Sequence, residues 1–268
     1  MLRSHSAALL LALAGGLSQL AATPAPYRGV PAPDGVQHGA SLSVTCAACH
    51  GPRGNSISLT FPNLAGQNYN YLLKELEDFR GGRRHATPMT AFMNTIPPAP
   101  GDRNLMDLAA YFAAQALNRS IGANATEPKP GKAVAAAGYR LYAGGDSTEK
   151  VPACAACHAP GGTGNAPMAI PALAGQHAQY VENELRRFAA GKRDNSPQHV
   201  MAIIATRLSS KQIEAVAEYV QELTPKLMSG IGSLSYAAYV KALSHQPVPG
   251  IAASDLSTAN SSPSGHSQ

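Results

Sequence analysis

The chain has 268 residues, a length that allows one large domain or two domains of roughly 100 residues each. Hydrophobic residues make up 44% of it, but there is no Trp and the aromatic share is only 6%, so a core would consist mainly of Ala, Leu and Val unless another group fills it. The formal net charge of +5 is small and does not by itself predict binding to nucleic acid.

Residues 1–22 have the layout of a secretory signal peptide. Arg3 precedes an apolar run from Ala7 to Leu17, and small residues follow it. This run is shorter than the roughly 20 residues that a membrane-spanning helix needs. Cleavage near Ala22 predicts an exported, periplasmic protein. No other segment is apolar enough to span a membrane, which leaves peripheral association with a membrane surface open.

All four cysteines fall in two copies of the sequence CAACH. The first copy holds Cys46, Cys49 and His50, and the second holds Cys154, Cys157 and His158. Two thiols at this spacing can bond to the two vinyl groups on one edge of a porphyrin, and the histidine that follows then reaches the iron; C-x-x-C-H is the attachment signature of c-type haem. We therefore predict two covalently bound haem c groups, attached by the cysteines and ligated by the two histidines.

A disulfide and a zinc site are the competing interpretations of these cysteines. Export permits disulfides, but two intervening residues are too few for an ordinary structural disulfide, and a redox C-x-x-C is not normally followed by histidine twice in one chain. A zinc site would use four cysteines, or cysteines with spaced histidines. Here each histidine directly follows its cysteine, which suits a tetrahedral site poorly.

The similarity of the two halves extends well beyond the cysteines. The segment FPNLAGQNYNYLLKELEDFRGGRR (61–84) matches IPALAGQHAQYVENELRRFAAGKR (170–193) at a spacing of 109 residues. A repeat of this length predicts two copies of one domain, at 35–118 and 134–225, joined by a linker at 119–133. A haem would supply apolar bulk that so small a domain lacks. Residues 226–268 form a C-terminal extension that is predicted to be partly disordered.

The periodicity of both halves is helical. Apolar residues recur at three- and four-residue spacing through 69–79, and Gly81 follows as a stop signal. Later helices are predicted to begin at Asp102 and at Ser209 or Ser210, which are residue types that favour the N-cap position. No alternating runs of useful length indicate β-strands, so the predicted fold class is all-α.

The iron of the second haem needs a ligand opposite His158. A methionine sulfur there favours the reduced iron and suits electron transfer. Met201 is the candidate, since Met168 lies only ten residues after the histidine and Met228 follows the last domain helix. His199 is the competing ligand, and it would give a bis-histidine haem of lower potential.

The first half offers two methionines for the same role. Apolar residues lie three, four and seven positions after Met89, as they do after Met201, which favours Met89 and treats PPAP (97–100) as an insertion. Against this, Met93 lies 18 residues before Tyr111, as Met201 lies 18 residues before Tyr219. Met89 is the preferred ligand, and Met93 stays open.

Both halves carry one ordered set of motifs: CAACH twice, FPNLAGQ and IPALAGQH, the helix YLLKEL, and the ending LAAYFAAQ. This set, over about residues 35–225, resembles the dihaem cytochrome c4 family of class I c-type cytochromes. The resemblance implies two tandem cytochrome c folds, each wrapped around one haem with His/Met ligation. It also implies a periplasmic electron carrier between a cytochrome bc complex, or a dehydrogenase, and a haem–copper terminal oxidase of the respiratory chain.

The basic residues do not add up to a nucleic-acid site. Removing a signal peptide that contains Arg3 leaves a charge of about +4, which the propionates of two haems would cancel. The turn GGRRH (81–85) and the pair at 186–187 are interpreted as solvated surface. The alternatives for them are hydrogen bonds to haem propionates and a docking patch for a redox partner.

The leading functional hypothesis is an electron-transfer protein with no catalytic residues. The alternative is an enzyme role, as the haem-bearing subunit of a periplasmic dehydrogenase or as a dihaem sulfur-oxidising enzyme. A dihaem thiosulfate dehydrogenase would use a cysteine as a distal haem ligand, and both CAACH motifs together already account for every cysteine. The extension at 226–268 is not part of the pattern and is a candidate for docking a partner.

Overall fold

The computed structural model describes residues 33–117 and 131–223. The predicted signal peptide (1–22), most of the predicted linker and the predicted extension (226–268) lie outside the described residues. The described part is mostly helical, and its only β pairing consists of two isolated bridges, Asp146 with Val151 and Asn165 with Ile170. The all-α prediction is confirmed.

The first half is built around two crossing helices near its ends. Its α-helices are α1 (Pro33–Leu42), α2 (Ala47–His50), α3 (Tyr69–Arg80), α4 (Thr87–Met93) and α5 (Arg103–Ala113), with short 3-10 helices at Ser43–Cys46, Pro52–Gly54 and Pro100–Asp102. α1 and α3 both pack against α5. Leu105 and Leu108 of α5 are at most 1% exposed and form the core with Leu72 and Phe79 of α3.

The second half repeats this order. Its α-helices are α6 (Lys132–Gly144), α7 (Ala155–His158), α8 (Ala178–Ala189), α9 (Val200–Ala205) and α10 (Ser210–Glu222), with 3-10 helices at Ala166–Met168 and Pro197–His199. α6 and α8 pack against α10, as α1 and α3 pack against α5. Its core includes Leu141 and Tyr142 of α6 with Val216 and Val220 of α10.

One glycine allows each terminal helix pair to cross closely. A Cβ added to Gly39 of α1 would lie 2.0 Å from the carbonyl oxygen of Asp107, and one added to Gly138 of α6 would lie 2.1 Å from that of Ala215. No side chain fits such a gap, because the atom it meets belongs to the backbone of the facing helix. The two glycines therefore set the same crossing in both halves.

The helix ends test the predicted caps. Ser209 caps α10: its side chain accepts from the backbone N–H of Gln212, and the Gln212 side chain accepts from the N–H of Ser209, so this prediction is confirmed. Asp102 is the N-cap residue of α5, so its predicted position is confirmed, but its side chain does not cap the helix. Its φ of 57° is left-handed, its carboxylate makes no cap hydrogen bond, and it lies 3.4 Å from the guanidinium of Arg80 instead.

Candidate haem sites and the interface between them

Each CAACH sequence folds as a single helical turn. Cys46 ends a 3-10 helix and α2 follows directly, while Cys154 directly precedes the first residue of α7. Residues three apart lie on one face of a helix, so the two sulfurs of each motif share a side. All four cysteines are free thiols in the structure. Each motif thus offers two attachment points along one edge of a ring.

The two histidines that follow are buried and oriented in the same way. His50 is 5% exposed and His158 is 8% exposed. Nδ1 of His50 donates to the carbonyl oxygen of Pro62 over 2.9 Å, and Nδ1 of His158 donates to that of Pro171 over 3.0 Å. A carbonyl can only accept, which places the ring proton on Nδ1 and leaves Nε2 as the lone-pair nitrogen that a metal requires. Burial lowers the pKa of both imidazoles, which keeps them neutral.

The donor set fits a covalent haem better than a bare metal ion. Within residues 33–117 and 131–223, no three His, Cys, Asp or Glu side chains come together as a metal site. Burial raises the pKa of the Cys46 thiol and raises that of Cys154 to about 11. Two cysteines and a histidine that directly follows the second of them are the residues that thioether-linked haem uses.

The structure distinguishes the two methionines of the first half. Met93 is the last residue of α4, is 2% exposed and belongs to the core with Phe79 and Leu105. Met89 is half-buried and packs at the edge of that core. In the second half α9 ends at Ala205, which is 0% exposed, four residues after Met201. Met93 thus occupies the position of Ala205, and Met89 that of Met201.

His199, the competing ligand in the second half, lies on the surface. Its side chain is 66% exposed, and Nδ1 lies 2.7 Å from a carboxylate oxygen of Asp194. Its backbone is left-handed, with a φ of 56°. Met201, two residues later, is half-buried on α9.

Two glutamines join the halves through reciprocal contacts. Gln176 accepts from the backbone N–H of Asn63 over 2.9 Å and donates to the Asn63 carbonyl oxygen over 3.0 Å. Gln67 makes the matching pair with Ala172, at 2.7 and 2.9 Å. Both glutamines are buried. Because Gln67 and Gln176 are 109 residues apart, as Asn63 and Ala172 are, the contacts obey a pseudo-two-fold relation.

A buried ion network lies on the same interface. Arg84 binds Glu75 of its own half at 2.6 Å and Glu184 of the other half at 2.9 Å. Arg193 binds Glu184 at 2.6 Å and Glu75 at 3.2 Å. These four groups contain two charges of each sign, so the network is neutral. It extends to the phenol oxygens of Tyr71 and Tyr180, which accept from Arg193 and Arg84.

The network corrects the interpretation of the basic turn. Arg83 is 60% exposed, as expected for a solvated residue, but the side chain of Arg84 is only 7% exposed. Its guanidinium also stacks 4.6 Å from the ring centre of Phe79, as that of Arg193 does over Phe188 at 4.5 Å. Burial is possible because the carboxylates of both halves compensate the charge. The two repeats end alike, in GGRR and AGKR, and this shared arginine was the sequence signal that could have predicted its burial.

Comparison with known proteins identifies the family. The Cytochrome c family model matches residues 36–115 and 135–224. Cytochrome c4 of Azotobacter vinelandii is 40% identical over 195 residues, which are 69% of this chain and 87% of that protein. A thiosulfate dehydrogenase electron acceptor of Stutzerimonas stutzeri is 35% identical over 178 residues, or 66% of this chain and 78% of that protein.

A solved structure shows the same fold. Reduced recombinant cytochrome c4 from Pseudomonas stutzeri superposes with a TM-score of 0.63 at 36% identity, covering 70% of this chain and 98% of that one. The predicted resemblance, the tandem fold and the two haems are confirmed by these matches. The chain therefore belongs to the cytochrome c family, as a dihaem member of the cytochrome c4 type that carries electrons on two covalently bound haem c groups.

Proposed function

We propose that the protein is a periplasmic relay of a respiratory chain, which takes electrons from a cytochrome bc complex or a dehydrogenase and delivers them to a haem–copper oxidase. The observation that carries the proposal is the reciprocal glutamine contact. Gln176 of the second half binds the segment that contacts His50, and Gln67 of the first half binds the segment that contacts His158. Two electron-carrying sites held in this way form one unit, with one side for a donor and the other for an acceptor.

We assign the first haem to Cys46, Cys49 and His50 and the second to Cys154, Cys157 and His158. Met89 and Met201 are the proposed distal ligands. The alignment of α4 with α9 supports this pair. Each helix ends on a buried residue, Met93 or Ala205, and the proposed ligand lies four residues earlier in both. His199 lies on the surface and is bound to Asp194, which argues against His199 as the iron ligand.

The haem supplies reversible one-electron chemistry, and the chain sets its conditions. The carbonyl oxygens of Pro62 and Pro171 orient His50 and His158 and leave Nε2 of each ring as the nitrogen that would bind iron. A methionine sulfur bound to each iron would favour the reduced state and raise the potential. If Met89 and Met201 bind the irons together with the two histidines, neither site would leave a coordination position for a substrate, and this would favour a carrier over an enzyme.

Export is proposed on the sequence of residues 1–22. Among the described helices, none is both long enough and apolar enough to cross a membrane.

A second candidate function is electron acceptance from a thiosulfate dehydrogenase. The match to a protein named as the electron acceptor of that enzyme supports it. In this version the chain still performs no bond chemistry, and only its donor differs.

The relay is tested with the purified dihaem protein. Reduction by a cytochrome bc complex and by a thiosulfate dehydrogenase, and oxidation by a haem–copper oxidase, are followed by stopped-flow absorbance. Fast exchange with the oxidase and no turnover of thiosulfate, peroxide or simple alcohols are expected. Robust turnover of one of these substrates by the isolated protein, with slow exchange to every redox partner, would overturn the proposal.

The ligand assignment is tested separately with Met89→Ala and Met201→Ala. Each is expected to lower the potential of its own haem markedly, because axial ligand identity tunes haem potentials over roughly 0.8 V. Met93→Ala is the matched control on the same helix and should destabilise the core without removing an iron ligand. A large drop in potential with Met93→Ala and none with Met89→Ala would reassign the first ligand.

A further inference from the structure

We propose that Gln67 and Gln176 are positioning residues that tune the haem of the opposite half, each by polarising the peptide group that holds the opposite axial histidine. The inference rests on the proposed roles of His50 and His158 as iron ligands. It concerns how one half of the molecule influences the other.

The first hydrogen-bonded chain passes through one peptide group. Nδ1–H of His50 donates to the carbonyl oxygen of Pro62 over 2.9 Å. The N–H of that same peptide group belongs to Asn63, and it donates to Oε1 of Gln176 over 2.9 Å. The side chain of a second-half residue is therefore separated from a first-half histidine by one amide.

The second chain is the counterpart of the first. Nδ1–H of His158 donates to the carbonyl oxygen of Pro171 over 3.0 Å. The N–H of this peptide group belongs to Ala172, and it donates to Oε1 of Gln67 over 2.7 Å. Each half thus supplies a glutamine that binds the peptide group holding the histidine of the other half. Both glutamines belong to the repeated motif AGQ.

The orientation of each carboxamide is fixed by two donors. Oε1 of Gln176 also accepts from the N–H of His177 over 3.1 Å, and Oε1 of Gln67 accepts from the N–H of Asn68 over 2.8 Å. Two N–H groups facing one atom require that atom to be the oxygen. Nε2 of each glutamine then faces a backbone carbonyl oxygen of the opposite half.

The electronic effect follows from amide resonance. An N–H that donates a hydrogen bond shifts electron density of its peptide group toward the carbonyl oxygen, because hydrogen bonds in series polarise one another. The carbonyl oxygen then accepts more strongly from Nδ1–H, and the imidazole becomes a more basic ligand. A more basic ligand stabilises the oxidised iron, so each glutamine lowers the potential of the opposite haem.

Burial protects these links from solvent competition. Asn63 is 4% exposed, Gln176 is 7% exposed and Gln67 is 8% exposed. Hydrogen bonds in such an environment are electrostatically stronger than in water. Separation of the halves would replace each glutamine oxygen by water, so docking of the two halves is itself coupled to both potentials.

The test replaces one glutamine at a time in the full dihaem protein. Gln176→Met keeps the length of the side chain and removes the acceptor. It should move the potential of the first haem to more positive values and leave that of the second unchanged, and Gln67→Met should do the reverse. Potentials are read haem by haem from NMR-monitored redox titrations.

A second readout separates tuning from loosening. In the reduced protein, the Nδ1–H resonance of His50 should move upfield in Gln176→Met, while that of His158 stays in place. Asn70→Ala is the matched control, because its side chain also bonds across the interface, to the carbonyl oxygen of Ala166 over 2.9 Å, without touching either histidine peptide. It should shift neither potential.

Equal shifts of both haems, a shift of the haem in the glutamine's own half, or an unchanged Nδ1–H resonance would overturn the inference. If one glutamine variant fails to fold, the other decides alone. Failure of the ligand assignment is recognised independently, because the Nδ1–H resonances of the unsubstituted protein would then show no ring-current shift from a haem.

Discussion

The two halves agree in how their helices cross and differ in what fills the crossing. Gly39 and Gly138 make equivalent close contacts with Asp107 and Ala215. Asp107 is 1% exposed and is bound by His38 at 2.8 Å and by Arg103 at 2.8 and 2.9 Å, whereas the second half has only the methyl group of Ala215. The shared requirement at both crossings is therefore the close approach of the two helix backbones. A buried carboxylate is accepted beside it once two partners satisfy its charge.

A second difference lies at the margin of the interface. Asp78 of the first half and Arg187 of the second occupy equivalent positions in the repeat, 109 residues apart, and carry opposite charges. Asp78 accepts from Asn195 of the other half over 2.7 Å, and Arg187 donates to the carbonyl oxygen of His85. The interface is symmetric in its centre and complementary at this edge. Each half is thus adapted to its partner and not to a second copy of itself.

The largest expected effect concerns Glu75. Burial alone would raise the pKa of this carboxyl, but Arg84, Arg193 and Lys74 outweigh it and hold the pKa at about 2, against an ordinary 4.5. Because the folded value is the lower one, the carboxylate stabilises the fold fully above about pH 4.5. This contribution of about 3 kcal/mol is lost as the pH falls toward about 2.

Glu75→Gln should remove this contribution. We expect the variant to be less stable by about 3 kcal/mol at neutral pH, and its stability to fall less between pH 4.5 and 2. Urea unfolding followed by circular dichroism at several pH values measures both. Glu182→Gln is the control, since its exposed pair with Arg186 contributes at most about 0.5 kcal/mol. Equal losses in the two variants would contradict the role of the network.

The next effect tests whether the helix crossings are equivalent. Gly39→Ala and Gly138→Ala should each destabilise the protein by about 2 kcal/mol, because the added methyl group would overlap a backbone carbonyl oxygen of the facing helix. Gly144→Ala is the matched control at the end of α6, where an added Cβ meets nothing within 4 Å. It should be neutral or stabilising by about 0.5–1 kcal/mol. Thermal unfolding measures the three stabilities. A loss in the Gly144→Ala control as large as in the other two variants would contradict the role of the two crossings.

The smallest effect compares the starts of the two final helices. Ser209→Ala removes a capping box from α10 and should cost about 1 kcal/mol. Asp102→Asn at the start of α5 removes no cap bond, keeps a residue type that tolerates the left-handed backbone, and should cost less than about 0.5 kcal/mol. Chemical denaturation of the two variants gives the difference directly. A larger loss for Asp102→Asn would show that the contact of Asp102 with Arg80 stabilises more than the cap at Ser209 does.

Local features of the site could be predicted because their signals are local. The spacing of two cysteines and a histidine, the helical period of both halves and the stop at Gly81 each lie within one turn or one helix. The cap at Ser209 is equally local. Asp102 shows the limit of this reasoning: its type favours a cap, but the chain enters α5 in a left-handed conformation that local preference does not reveal.

The methionine ambiguity needed information about burial. Met89 and Met93 both satisfy a spacing argument, and spacing cannot say which of them faces the core. The structure gives Met93 a core position that Ala205 fills in the other half. Which side chain fills such a core position depends on the packing of several segments at once.

By itself, the sequence determined the two haem motifs, the repeat and the all-α class, because each is carried by residues close together in the chain. Only the tertiary structure decided that Arg84 is buried and that each glutamine contacts the histidine peptide of the other half. A charged residue can be buried when distant carboxylates meet it, and a glutamine can polarise a peptide group only when folding brings the two together. Both contacts link residues about 100 positions apart, and no local pattern encodes that distance.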